Sequence, residues 1–286
     1  MTRPILVGID GSEESMFALD WALAEATSRG LPLQLVHAVD LRPYGAPSHI
    51  GALYSEENDA RLHARHVLKA ARERAATVAP NVAVTAKTAT TRPAAALIKA
   101  STGAGMVVLG ARGGGGFEGL LLGAVAAQVA AHAACPVVVV RNASVQTNEV
   151  VVGVDGSPLS EAAVAFAFDH ASRYTCKIVA LHAWPHPVST GPGDEVPFLY
   201  DVDKVAEEET RLLAEAIAGH RDTYPDVDLV PRVVHAAPAR ALVEASAHAD
   251  MVVVGSRGRG GFASMLLGSV SHIVLRHAAC TVAVVR

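Results

Sequence analysis

The sequence predicts an α/β protein of two tandem domains, each an open, twisted, Rossmann-like sheet of five parallel strands with helices on both faces. Three observations carry that prediction. A domain-length repeat divides the 286 residues, short Val/Ile/Leu runs alternate with amphipathic stretches in each half, and the composition is 51% hydrophobic but only 5% aromatic. Such a composition, rich in Ala and Val, suits helices packed closely on a buried sheet.

The repeat is read directly from the chain. ILVGIDGSEES near the N-terminus returns as VVVGVDGSPLS, LVHAVD as ALHAWP, and MVVLGARGGGGFEGLLLGAVAAQVAAHAACPVVVVR as MVVVGSRGRGGFASMLLGSVSHIVLRHAACTVAVVR. Asp10 falls on Asp155, His37 on His182, Gly110 on Gly255 and Cys135 on Cys280, a constant spacing of 145 residues (155 − 10). Solenoid units run at about 20–50 residues, so a period this long is a duplicated domain. The expected domains are residues 1–142 and 148–286, joined through the polar stretch RNASVQTN at 141–148.

In the first copy the apolar runs predict strands at 5–9, 33–39, 82–88, 106–109 and 137–140. The amphipathic stretches between them predict helices at 13–29, 56–79, 93–102 and 120–133. The order β-α-β-α-β-α-β-α-β calls for right-handed crossovers and a parallel sheet. Ligands of such sheets bind beyond the carboxyl ends of the strands, where the strand order reverses.

Composition excludes several classes. No run approaches the roughly 18 apolar residues of a membrane span, and MTRPILVGIDGS has no signal-peptide pattern, so a cytoplasmic protein is expected. A net charge of −4 supplies no field for nucleic acid. Cys135, Cys176 and Cys280 form no CxxC motif and read as reduced, buried thiols.

The strand ends hold the candidate chemistry. After the fourth strand of the second copy, Gly255-Ser256-Arg257-Gly258 is followed by nine residues and then Gly268-Ser269, where a helix begins. Glycines let backbone amides approach an anion, a helix start adds unsatisfied N–H donors, Ser269 and Ser271 add hydroxyls, and Arg257 and Arg259 add charge. The loop is neither a Walker A nor a GxGxxG motif. Tight turns and close helix–sheet packing are the alternative use of the same glycines.

Asp10 and Asp155, each ending the first strand of a copy, suit a carboxylate that accepts ribose hydroxyls; capping of the next helix is the other reading, with Ser12 or Ser157 able to cap instead. His37 and His182 read as structural, because no nucleophile with a supporting acid recurs in both copies. The backbone at Ala38 and Ala183 can face an adenine edge. His63 and His66 are spaced for one helix face but find no third metal ligand, and with Glu207, Arg72 and Arg74 they read as solvated surface.

VGIDGS and VGVDGS, the His-Ala dipeptide after the second strand, and above all GSRGRGGF-x5-GSVS resemble the universal stress protein family across both halves of the chain, in its tandem-domain, ATP-binding form. The resemblance implies an adenine nucleotide α-hydrolase-like fold, ATP with Mg²⁺ between the first and fourth strands, and a regulatory role in stress. The residues it marks for the first site are Gly8, Asp10, Ala38, Gly110, Arg112, Gly113, Gly116, Gly123, Ala124 and Val125. For the second they are Gly153, Asp155, Ala183, Gly255, Ser256, Arg257, Gly258, Arg259, Gly260, Gly261, Gly268, Ser269, Val270 and Ser271. The resemblance further implies pairing of the domains through their last strands, 137–140 and 282–285, as a pseudo-dimer, association of two chains as a homodimer, and a regulatory protein partner. An uncovered sheet edge needs a partner in any case.

The first copy departs from this pattern, with Ala124 for Ser269, Ala126 for Ser271 and Gly114 for Arg259. Losing one hydrogen bond to a charged phosphate costs about 1.5–3 kcal/mol, so the second site is expected to be tighter. A regulatory nucleotide-binding protein without efficient catalysis is the expected function. A slow ATPase or autophosphorylating enzyme, with Ser269 or Ser271 as acceptor, is the alternative.

Overall fold

Glu13–Arg29 is helical because its apolar residues recur on one face and its ends are closed. The side chain of Ser12 caps the first turn by accepting the amide of Ser15, and Gly30 ends the last turn in the left-handed region at φ 63°. Ala18, Leu19, Ala22, Leu23 and Ala26 form the buried face. Three of the strands beside it, Ile5–Gly8, Met106–Gly110 and Val137–Val140, are by contrast continuous apolar runs with almost no solvent exposure.

The computed structural model describes residues 2–40, 50–114, 121–141, 147–185, 202–259 and 266–286, with side chains of the second helix described from residue 58. The chain divides into unit 1, Met1–Asn142, and unit 2, Ala143–Arg286. Unit 1 runs β1 (Ile5–Gly8), α1 (Glu13–Arg29), β2 (Leu33–Ala38), α2 (Ile50–Val78), β3 (Val84–Ala89), α3 (Pro93–Ser101), β4 (Met106–Gly110), α4 (Ala124–His132) and β5 (Val137–Val140). Unit 2 repeats the series as β6 (Glu149–Gly153), α5 (Pro158–Tyr174), β7 (Lys177–Trp184), α6 (Val202–Thr223), β8 (Leu229–His235), α7 (Pro238–Ala245), β9 (Met251–Gly255), α8 (Ser269–His277) and β10 (Thr281–Val285), with a 3₁₀ turn at Ser246–His248.

Within unit 1 the strands lie in the order β3-β2-β1-β4-β5, and within unit 2 β8-β7-β6-β9-β10, all parallel inside each unit. Ile5 pairs with Leu33 on one side and Met106 on the other, which puts β1 at the centre. The chain therefore moves outward through β2 and β3, then returns to β4 beside β1, and the order reverses between those two strands.

Three boundaries differ from the periodicity by two residues or more. The second helix starts at Ile50 instead of 56, and the third strand starts at Val84 because Val82 turns back to bond the carbonyl of Ala79. The fourth helix starts at Ala124 instead of 120, since extended Gly123 (φ −75°, ψ 152°) is its N-cap. Among the described residues no helix is long and apolar enough to cross a membrane. The three cysteines are buried and unbridged; burial first, then the charge of Asp250, pushes the Cys176 thiol up.

Candidate functional site

Because β1 and β4 are neighbours whose following chains leave in opposite directions, a crevice opens beyond Gly8 and Gly110. Two loops meet there, and an aspartate joins them. Asp10 Oδ1 accepts the amide (3.0 Å) and hydroxyl (2.5 Å) of Ser12, while Oδ2 accepts the amide of Gly114 (3.0 Å), 104 residues away. Unit 2 repeats the clamp: Asp155 Oδ1 takes the amide (2.9 Å) and hydroxyl (2.6 Å) of Ser157, and Oδ2 takes the amide of Arg259 (3.0 Å).

The helix-cap reading of the aspartates thus passes to the serines. Ser12 Oγ accepts Ser15 N–H and Ser157 Oγ accepts Ser160 N–H, at 3.2 Å in both. Burial pushes the Asp10 carboxyl up, but the bonds from Ser12, Gly114 and Ser15 together outweigh it and hold the group below its ordinary range.

The glycines divide by task. A β-carbon at Gly110 would lie 2.7 Å from the carbonyl of Glu14, and one at Gly255 2.8 Å from that of Leu159, so these two let the first helix of each unit press against the sheet. A β-carbon at Gly113 or Gly258 would strike the Oδ2 atom of Asp10 or Asp155, so these two admit the clamp. The packing reading of the motif therefore accounts for its first glycine and the site for its second. Gly11 (φ 89°) and Gly156 (φ 72°) make the left-handed turn that brings each aspartate round.

Gly123 N–H donates to Ala111 O and Gly268 N–H to Ser256 O, both at 2.7 Å, and these bonds fold the loop back onto the strand end. The next helical rungs are Ala127 N–H to Gly123 O and His272 N–H to Gly268 O. The amides of Ala124, Val125 and Ala126, like those of Ser269, Val270 and Ser271, precede the ladder and carry the positive end of the helix dipole. Ser271 departs from its expected place: its buried hydroxyl donates to Gly255 O at 2.6 Å, tying α8 to β9, because its side chain points back along the helix toward the strand.

His37 Nδ1–H donates to Ile9 O (2.7 Å) and His182 Nδ1–H to Val154 O (2.6 Å). These carbonyls are the acceptors that the amides of Ala38 and Ala183 would meet if β1 and β6 ran on. Each imidazole thus supplies the last rung of the ladder and frees the alanine backbone beside it for the crevice. The outer nitrogen differs: His182 Nε2 meets Glu209 Oε2 at 2.7 Å, whereas His37 faces the ring of His63 at 6.1 Å.

In unit 1 these groups enclose a cavity of about 420 Å³, inside the range of about 300–1,000 Å³ usual for small-molecule sites. Gly8, Asp10, Ala38, Gly110, Arg112, Gly113, Gly123, Ala124 and Val125 all line it. Pro93 and Leu97 from α3 line it too, and sequence reasoning missed them. Nothing in their own pattern marks them, since only the crossover from β3 to β4 carries α3 over the mouth. Arg112 ion-pairs with Glu14 (2.8 Å) at the rim.

In unit 2, Gly153, Ala183, Gly255, Ser269, Val270 and Ser271 hold the corresponding places on β6, β7, β9 and α8, and Asp155, Ser256, Arg257, Gly258, Arg259 and Gly268 lie in the chain just after β6 and β9 and before α8. Gly116, Gly260 and Gly261 lie outside the described residues. Among the described residues no three His, Cys, Asp or Glu side chains gather as metal ligands.

A five-stranded parallel sheet in each unit, with a clamped glycine loop over its switch point, defines an open, twisted α/β protein. The chain belongs to the universal stress protein family, whose model matches residues 1–141 and again 147–286. Two universal stress proteins of Mycobacterium tuberculosis are similar to it along nearly its whole length. One is 39% identical over 292 residues and the other 40% over 298, each match spanning 99% of this chain and 96% of the relative. A crystal structure of a universal stress protein from Archaeoglobus fulgidus shares the fold, with a TM-score of 0.70 at 20% identity, over 99% of this chain and 96% of that one.

Proposed function

We propose that the chain binds ATP, accompanied by Mg²⁺, at the crevice of each unit, and acts as a regulatory stress-response protein switched by the nucleotide, without efficient catalysis. The observation that carries this reading is the unit 1 cavity, which has three leading helix amides at one end and the alanine backbone freed by His37 at the other. The amides of Ala124, Val125 and Ala126 suit a phosphate, and the Asp10 carboxylate on the cavity wall suits a ribose hydroxyl. Val36, Pro93 and Leu97 offer apolar contacts to a base. The cation would be held by the phosphates themselves.

Two potential reactive groups at the cavity are already committed: Ser15 Oγ donates to Ser12 O (2.8 Å) and His37 Nδ1 to Ile9 O. That favours binding over turnover. The test is calorimetric titration of ATP into the full chain and into the double variant Gly113→Val/Gly258→Val. Binding that the variant loses supports the proposal. Absence of heat for any adenine nucleotide up to millimolar concentration overturns it, and steady hydrolysis above about 1 s⁻¹ would make the protein an enzyme.

A further inference from the structure

The two crevices share their hydrogen-bonded frame and differ at three matched positions, two of them in charge. Where unit 1 has Glu14, Gly114 and Ala124, unit 2 has Leu159, Arg259 and Ser269. Glu14 brings a negative charge to the rim of the first crevice and Leu159 brings none to the second. Arg259 brings a positive charge to the second and Gly114 none to the first. The substitutions together separate the two rims by two charge units, and Ser269 adds a hydroxyl donor that Ala124 lacks.

The geometry places these groups where phosphates would extend. Arg112 is the cationic side chain among the residues lining the unit 1 cavity, and Glu14 Oε1 accepts from its Nη2 at 2.8 Å, so a polyphosphate must compete with a carboxylate for it. In unit 2 the backbone amide of Arg259 is held by Asp155, and its guanidinium lies across the turn at Gly156, at the mouth of the crevice. The three leading amides of α4 match the oxygens of one phosphate group, and a second or third group would lie toward Arg112 and Gly114, where Arg112 is already paired with Glu14.

Resting on the nucleotide reading above, we infer that the crevices are graded by phosphate charge: unit 1 takes adenine nucleotides with a single phosphate group and gains little from further phosphates, whereas unit 2 selects the triphosphate. The chain then responds to two forms of one nucleotide pool at once. Unit 1 fills with the total of the adenine nucleotides and unit 2 with the triphosphate.

The experiment is calorimetric titration of the full chain with AMP, ADP and ATP, using Asp155→Ala to isolate unit 1 and Asp10→Ala to isolate unit 2, each variant first shown to unfold cooperatively. The expected result is that unit 1 binds AMP and ATP within about threefold of each other, while unit 2 binds ATP at least about tenfold more tightly than AMP. Raising the salt should weaken ATP binding at unit 2 and barely alter unit 1. Equal preference for ATP in both units overturns the grading and leaves the nucleotide reading standing. Absence of any adenine nucleotide binding overturns both.

Charge variants in the wild-type background of each aspartate guard against misfolding. Glu14→Leu, and independently Glu14→Gln, which keeps the side chain's size, should shift the ATP-to-AMP preference of unit 1 by about tenfold toward that of unit 2. An unchanged preference in both variants overturns the inference.

Discussion

In unit 1 the carboxylate of Asp10 takes the amide of Gly114, and in unit 2 that of Asp155 takes the amide of Arg259, at 3.0 Å in each. The loop closures at Gly123 and Gly268 agree equally well, at 2.7 Å. One residue out from these bonds the copies part. Ser271 Oγ donates to Gly255 O where the side chain of Ala126 has no donor, Arg112 meets Glu14 where unit 2 has Leu159 at the position matching Glu14, and His182 meets Glu209 where His37 meets His63. Backbone hydrogen bonds admit few side chains, so duplication left them alike. Rim side chains answer only to their immediate neighbours, and these differ between the copies.

The largest expected effect tests whether the frame is one device used twice. Gly258→Val drives a side chain into Asp155 and should weaken nucleotide binding at unit 2 by about a hundredfold, roughly 2.7 kcal/mol, with unit 1 unaffected. Gly113→Val should do the converse, and titration of the single variants separates the two. Loss at both sites from either substitution would show that the crevices do not act separately.

Next comes the tie that only one unit has. Ser271→Ala leaves the buried carbonyl of Gly255 without its donor and should cost about 1–3 kcal/mol in urea unfolding. Ala126→Ser should recover part of that in unit 1. A cost below about 0.5 kcal/mol, the size of an ordinary surface change, would mean the hydroxyl contributes nothing particular.

The serine caps sharpen the comparison from the opposite side, since they are alike. Ser12→Ala and Ser157→Ala should each cost about 1 kcal/mol, and unequal values would show that the first turns differ in more than sequence.

The smallest effect is in acid. Asp10 titrates below its ordinary value when folded, so its contribution is present above the unfolded value of 3.8 and is lost as pH falls through the folded one. Asp10→Asn should therefore flatten the decline of stability below about pH 4 relative to wild type, in urea unfolding followed across that range. A decline as steep as that of wild type would place the acid sensitivity elsewhere.

Much of this frame is legible in the amino-acid sequence. Ser12 and Ser157 announce the helix starts, and the apolar runs announce parallel strands because both faces of such strands are buried. Less legible were the helix start at Ala124, where Gly123 takes the cap without a side-chain bond, and the start of α2 at Ile50. The tasks of the glycines could not be divided at all. Gly110 and Gly113 look alike in a motif, yet one faces the backbone of α1 and the other a carboxylate.

The sequence by itself determined the duplication, the order of strands and helices, the family, and the residues that gather at the strand ends, because repeats and burial periodicity are local records. Only the tertiary structure decided that Asp10 would hold Gly114, that Ser271 would turn from the crevice to Gly255, that Glu14 would meet Arg112, and that α3 would roof the cavity. Those partners lie far apart in the chain or across a packed interface. What brings most of them together is the reversal of strand order between β1 and β4, which no local pattern encodes.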